Sequence, residues 1–276
     1  MNKFRIALLQ TKVYSDKEKN IIKAVKMIEK VAGEGADIAV LPEMFCCPYN
    51  TDNFRSYGEE ERGIAYKALS DVACSNNIYV VGGTIPELEK DKVYNTSYVF
   101  DRNGVHLAKH RKMHLFDIDV ECGQSFKESD VLSSGDSVTV FDTEFCRMGL
   151  MICYDIRFPE LSRLMVLDGA EVIIVPGAFN MTTGPAHWET LFKGRSLDNQ
   201  VYTVGVAPAR DYESTYISYG NSLVASPWGN IINRLDEREG YIIQEIDMDY
   251  IKKVRNELPL LKHIRKDIYS LKINKI

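Results

Sequence analysis

The sequence predicts an α/β protein, on three observations. A strand–helix–strand pattern occupies residues 4–41 and returns at 146–175. The closing strand of each unit, 36–41 and 171–176, is a nearly continuous apolar run, as a strand covered on both faces requires. No linker, repeat or low-complexity stretch divides the 276 residues, so 1–276 reads as a single domain. Two halves, each with a sheet and its covering helices, suggest a four-layer αββα sandwich.

In chain order, residues 4–10 form the first strand. Asp16 or Ser15 caps a helix that runs to Ala32, with Ile21, Ile22, Val25, Ile28 and Ala32 on its apolar face. Gly33-Glu34-Gly35 stops it. Pro42 ends strand 36–41, and Glu43 stands just past its carboxyl end. Residues 59–76 read as helix and 78–84 as strand. Strands 93–100 and 105–109 alternate around Asp101-Arg102-Asn103-Gly104, a hairpin turn. Strands 138–141 and 146–152 lead to Cys153. From Phe158 to Leu167 the apolar spacing is helical, with Pro159 allowed in the first turn. Residues 186–199 are helical, with Trp188, Leu191, Phe192 and Arg195 on one face, and 201–207 are strand. Strands 221–226 and 231–234 flank Pro227-Trp228-Gly229-Asn230, a second hairpin signal. Strand 241–246 is the last, and a polar C-terminal tail follows.

At 45% hydrophobic and 26% charged, the composition is globular rather than disordered. The formal net charge of −5, with both signs interspersed, offers no basic stripe for nucleic acid. No apolar run reaches membrane-spanning length. Asn2-Lys3 leads straight into the first strand, too short an apolar stretch for an export signal, which points to the cytoplasm. Cys46, Cys47, Cys74, Cys122, Cys146 and Cys153 contain no C-x-x-C pair, so reduced thiols are expected rather than a zinc or redox site.

Three polar side chains each follow a strand. A lone cysteine usually packs as a small hydrophobe. Cys153, however, sits at a strand-to-helix corner, which lifts a side chain into the crevice where open α/β sheets keep their sites. The helix start would favour its thiolate. Glu43 and Lys112 would singly be solvated charges. Together with Cys153, they suit nucleophilic acyl chemistry. Glu43 would take the thiol proton and pass it to the leaving nitrogen. Lys112 would stabilise thiolate and oxyanion, with the Tyr154 N–H completing the oxyanion hole. Arg157, four residues past Cys153, either grips a substrate carboxylate in two-pronged fashion or pairs with Asp155 or a backbone carbonyl. Tyr49, Phe116, Thr182 and Thr183 lie on loops that could close the pocket. His110 and His114 have a metal-like i, i+4 spacing, but the intervening Arg111-Lys112-Met113 is cationic, so no metal is expected. His187-Trp188-Glu189 opens a helix, where packing and capping are its simplest roles.

Leu41-Pro42-Glu43, His110-Arg111-Lys112, and 149–153 with Tyr154-Asp155-Ile156-Arg157 resemble the three signatures of the nitrilase superfamily, the carbon–nitrogen hydrolases. The resemblance runs from Ile6 to about Tyr269. It implies the αββα sandwich, a Glu43–Lys112–Cys153 triad, no cofactor and a homodimer. It also implies a second glutamate near the triad, for which Glu128 is in place. The stretches 114–120, 176–189 and 198–202 resemble the omega-amidase branch. That branch implies a small-molecule substrate, the terminal amide of a dicarboxylic acid monoamide such as alpha-ketoglutaramate or alpha-ketosuccinamate, cleaved through a cysteine thioester. Phe158-Pro159-Glu160-Leu161-Ser162 is more similar to the sister branch acting on deaminated glutathione. A nitrile hydrolase or an N-acyl transferase would share the same covalent step. A non-catalytic carboxylate-binding module would be favoured by loss of a triad position, and none is lost.

Overall fold

The computed structural model describes residues 2–121 and 123–274. The first half contains β1 (Lys3–Gln10), α1 (Lys17–Gly33), β2 (Ile38–Val40), α2 (Thr51–Phe54), α3 (Ile64–Ser75), β3 (Tyr79–Val81), β4 (Ile85–Glu89), β5 (Lys92–Phe100) and β6 (His106–Arg111). A small ribbon, β7 (Asp117–Asp119) with β8 (Ser125–Lys127), follows. The second half contains β9 (Thr139–Asp142), β10 (Arg147–Leu150), α4 (Pro159–Leu167), β11 (Val172–Pro176), α5 (Gly184–Asn199), β12 (Tyr202–Val206), β13 (Leu223–Ala225) and β14 (Ile231–Arg234). The chain then returns to the first sheet with β15 (Gly240–Asp247) and ends in α6 (Met248–Glu257).

The first sheet has the order β15-β1-β2-β3-β5-β4, with β6 also paired to β5. The second runs β14-β13-β12-β11-β10-β9. Ile6, Leu8 and Val40 of the first sheet meet Met148, Val172, Val204 and Val224 of the second in one buried cluster. Alternate residues Ala7 and Leu9 face outward and pack under Ile21, Ile28, Leu69 and Val72 of α1 and α3. On the far side Ile173 and Val175 pack under Leu161, Met165, Trp188 and Phe192 of α4 and α5. Strands buried on both faces are why 36–41 and 171–176 read as continuous apolar runs. The result is the four-layer αββα sandwich.

Local chemistry sets the element ends. The Asp16 side chain accepts from the Lys19 N–H at 3.0 Å and caps α1. α3 starts at Ile64, later than the sequence pattern suggests, because residues 59–63 form a turn in which the Glu59 carboxylate accepts from the Ala65 N–H at 3.0 Å. The C-terminal stretch is less tail-like than it reads. Asp247 accepts from the Asp249 N–H at 2.9 Å and starts α6, which buries Met248, Ile251 and Val254 on one face. Among the described residues no helix is long and apolar enough to cross a membrane. Cys46, Cys47, Cys74, Cys146 and Cys153 are free thiols, and Cys122 lies outside the described residues.

Candidate active site

Parallel strands β2 and β10, one from each sheet, end close to the two reactive groups Glu43 and Cys153. After β2 the chain turns at Met44, whose φ is +51°, and Thr84 holds the turn by accepting the Met44 N–H at 2.8 Å. Gly83, at φ +56°, lies against this turn, and a Cβ there would stand 2.1 Å from the Pro42 carbonyl oxygen. The Glu43 carboxylate is thereby buried. Its Oε2 accepts from the Ala178 N–H at 2.7 Å, and its Oε1 accepts from Asn95 at 2.7 Å and Lys112 at 3.2 Å.

Lys112 follows β6, with its own N–H bound to the Asn95 carbonyl at 2.9 Å. The two residues before it are anchored. Arg111 binds the buried Glu87 carboxylate through two contacts of 2.8 Å. His110 reaches Thr139 at 2.9 Å through Nδ1 and Asp155 at 3.2 Å through Nε2. The Lys112 ammonium is fully buried between Glu43 and Glu128, the latter at 2.8 Å. Burial opposes its charge, but Glu128 and Glu43 outweigh burial and hold its pKa above the ordinary lysine value. Glu128 also accepts from the Tyr49 hydroxyl at 2.5 Å and the Phe116 N–H at 2.7 Å. Burial pushes the Glu128 pKa up, against the pull of Lys112.

Cys153 opens a 3-10 turn, Cys153–Arg157, between β10 and α4. Its φ of +48° is left-handed, a conformation that costs a non-glycine residue about 1–2 kcal/mol. Gly177 permits the backbone to pass, since a Cβ there would lie 3.3 Å from the Cys153 Cα and from the Trp188 ring. The turn is held from both ends. Asp155 accepts from the Ile152 N–H at 3.1 Å, and Arg195 of α5 donates to the carbonyls of Ile156 at 2.9 Å and Arg157 at 3.1 Å. The Tyr154 N–H falls in the first turn, where a helix has no internal acceptor to offer.

The thiol does not rest as a thiolate. Burial first, then the Glu43 charge, push the Cys153 pKa well up, and Lys112 offsets only part of this. The expected help from a helix dipole is outweighed, because the turn is short and the site is dry. A neutral thiol beside a buried carboxylate, with an ammonium on the far side, can attack a carbonyl carbon once the carboxylate takes its proton.

In front of the thiol is a narrow pocket lined by Phe116, Cys153, Tyr154, Arg157, Ala178, Phe179, Thr183 and Tyr216. The chain therefore combines a buried carboxylate–ammonium–carboxylate row with a thiol opening on a small pocket. The carbon-nitrogen hydrolase family matches residues 5–256 of it. The chain belongs to that family. It is an amide-hydrolysing enzyme of the nitrilase superfamily. The omega-amidase NIT2 of Xenopus tropicalis is 46% identical over 275 residues, and its human counterpart 43%, each match covering 100% of both chains. Nit3 of Saccharomyces cerevisiae, a member of branch 10 of the nitrilase superfamily, superposes with a TM-score of 0.88 at 41% identity, covering 96% of this chain and 97% of that one. The NitFhit protein of C. elegans superposes at 0.90 with 33% identity, covering 100% and 68%.

In this carbon-nitrogen hydrolase Glu43, Lys112, Glu128 and Cys153 come together, and Phe116, Tyr154, Arg157 and Thr183 line the cavity. Tyr49 stands against the triad, its hydroxyl 2.5 Å from Glu128, 3.3 Å from Glu43 and 3.4 Å from Lys112, whereas Thr182 is exposed on the surface while its neighbour Thr183 faces inward. Asp155 does not pair with Arg157. It is fully buried and takes both histidines, with His114 donating through its N–H at 2.9 Å and meeting it through Nδ1 at 2.8 Å. Burial opposes the Asp155 charge, but these partners hold its pKa well below the usual carboxylate range. The i, i+4 histidines are thus committed to a carboxylate, and among the described residues no group of three His, Cys, Asp or Glu is arranged to hold a metal ion. Sequence reasoning missed Asn95 and Tyr216. The Tyr216 hydroxyl donates to the Ala178 carbonyl at 2.5 Å and so holds the residue whose N–H binds Glu43. Asn95 sits mid-strand, and Tyr216 in a loop without periodicity, so neither carried a local signal.

Proposed function

We propose that the enzyme hydrolyses the terminal amide of a short dicarboxylic acid monoamide of the alpha-ketoglutaramate type through a thioester on Cys153. Glu43 takes the thiol proton as Sγ attacks the amide carbon. The oxyanion is met by the Lys112 ammonium and the Tyr154 N–H. Collapse breaks the carbon–nitrogen bond, and the Glu43 proton leaves with ammonia. Water, deprotonated by Glu43, then opens the thioester and restores the thiol. Glu128 holds Lys112 in place throughout, and Tyr49 orients Glu128.

The observation that carries the substrate class is Arg157. Its guanidinium lines the same small cavity as Cys153 and, among the described residues, has no carboxylate partner. A half-buried cation left without a counter-ion fits a substrate that brings one. Support also comes from the omega-amidase relatives. We also propose, from the family resemblance, a homodimer in the cytoplasm, and light scattering should return the mass of two chains. The deciding measurement is kcat/KM for alpha-ketoglutaramate, deaminated glutathione and a neutral amide of equal length. Alpha-ketoglutaramate should lead. Arg157→Ala should cost it roughly 2–5 kcal/mol, the range for unpairing a desolvated charge, and the neutral amide much less. Equal losses would make Arg157 structural and remove the basis for the acid substrate.

A further inference from the structure

The Arg157 guanidinium has one polar partner among the described residues. Its Nη1 lies 3.1 Å from Nδ1 of His187, on the first turn of α5. Arginine has only donors, so Nδ1 must accept, and the imidazole is the neutral tautomer carrying its proton on Nε2. The remaining neighbours are aromatic faces, Phe179 at 4.8 Å and Tyr154 at 5.5 Å. They attract the cation without fixing its rotation. Nε is buried with no partner. The edge formed by Nε and Nη2 is one of the two guanidinium edges that can meet a carboxylate with two parallel bonds, and with Nη1 held by His187 it is the edge left unengaged.

From this we infer that His187 is a positioning residue for substrate specificity. By holding Nη1 it turns the Nε–Nη2 edge toward the carboxylate of an acid substrate. Without it, a long flexible side chain has several rotamers to choose among, and ordering it falls to each substrate molecule in turn. His187 itself is exposed at the rim, so its replacement leaves the packed core untouched. The inference rests on the carboxylate reading of Arg157 given above.

The test compares wild type, His187→Ala and His187→Asn on alpha-ketoglutaramate and on a neutral amide of equal length. Asparagine keeps an acceptor near the place of Nδ1. His187→Ala should raise KM for the acid about tenfold, the effect of losing one hydrogen bond to a charged group, with a far smaller change in kcat. KM for the neutral amide should change several-fold less, and His187→Asn should recover most of the loss. In an Arg157→Ala background His187→Ala should add nothing, because the two act as one unit. Equal effects on both substrates, no effect on KM, or an asparagine variant as damaged as the alanine one would each overturn the inference. If Arg157→Ala discriminates between the substrates while His187→Ala does not, this inference fails alone. If Arg157→Ala does not discriminate, the substrate reading fails and takes this inference with it.

Discussion

Asp155→Asn tests how the two halves of the site are kept in register. The native carboxylate accepts four bonds. Oδ1 takes the His114 N–H at 2.9 Å and His114 Nδ1 at 2.8 Å, and Oδ2 takes the Ile152 N–H at 3.1 Å and His110 Nε2 at 3.2 Å. An amide keeps one acceptor oxygen and turns the other position into a donor. In either flip one histidine can change tautomer and accept, but one backbone N–H, of His114 or of Ile152, is left facing an NH2 group. A buried orphan donor costs about 1–3 kcal/mol, and the surviving bonds lose the strength that charge gave them. The sum is about 3 kcal/mol, or roughly 6–12 °C in Tm for a chain of this length. Because His110 and His114 flank Lys112 while Ile152 precedes Cys153, kcat should fall as well. Calorimetry with steady-state kinetics on the same preparation would measure both. A variant that melts within about 2 °C of wild type and keeps its kcat/KM would refute the reasoning, since a donor pressed on a donor cannot be that cheap in a dry site.

Cys153→Ala and Cys153→Gly should both abolish turnover. The glycine variant should be the more stable by about 1 kcal/mol in denaturant melts, because it relieves the left-handed φ, and the reverse order would show that position 153 carries no strain. Glu43→Gln should prevent acyl-enzyme from forming in rapid-quench experiments. Lys112→Met should destabilise the fold by roughly 3–5 kcal/mol, because it leaves buried carboxylates uncompensated, and an unchanged melt would contradict that. Glu128, pushed above the ordinary glutamate range, should protonate as pH falls and release Lys112. The acid limb of kcat/KM should therefore lie above the usual glutamate value and change shape in Glu128→Gln, and an identical profile in the variant would remove Glu128 from the titration.

Much of this was legible in the sequence because the carboxyl ends of buried strands are where a sandwich exposes side chains. Leu41-Pro42-Glu43 and 149–153 announce both the strand and its end. Other parts were hidden for identifiable reasons. β4 contains Pro86 and two glutamates, an unpromising strand until it is seen at the sheet edge, where proline is tolerated. α6 has three buried apolar residues in ten and depends on Asp247 for its start, so it reads as tail. The ionisation of Cys153 could not be read from its place before a helix, because burial and the Glu43 charge are tertiary facts. Thr182 and Thr183 are adjacent and chemically alike, yet only Thr183 faces the cavity, since the turn into α5 decides which side chain points inward. The partners of Asp155 were equally out of reach, because His110 approaches it from β6 of the first sheet and His114 from the loop that follows.

The pairing of β1 with β15 has a consequence for biosynthesis. Lys3–Gln10 leaves the ribosome long before its antiparallel neighbour Gly240–Asp247, to which it is matched residue for residue along the whole strand. At ordinary elongation speeds the nascent chain waits roughly 10–50 s with that edge bare, on a strand apolar on both faces. Such an edge is an invitation to foreign strands. The first sheet is therefore sealed only when β15 arrives, and the edge of β1 is at risk until then. A chain that stops short of Gly240 loses far more than a peripheral segment, because it never leaves that vulnerable state.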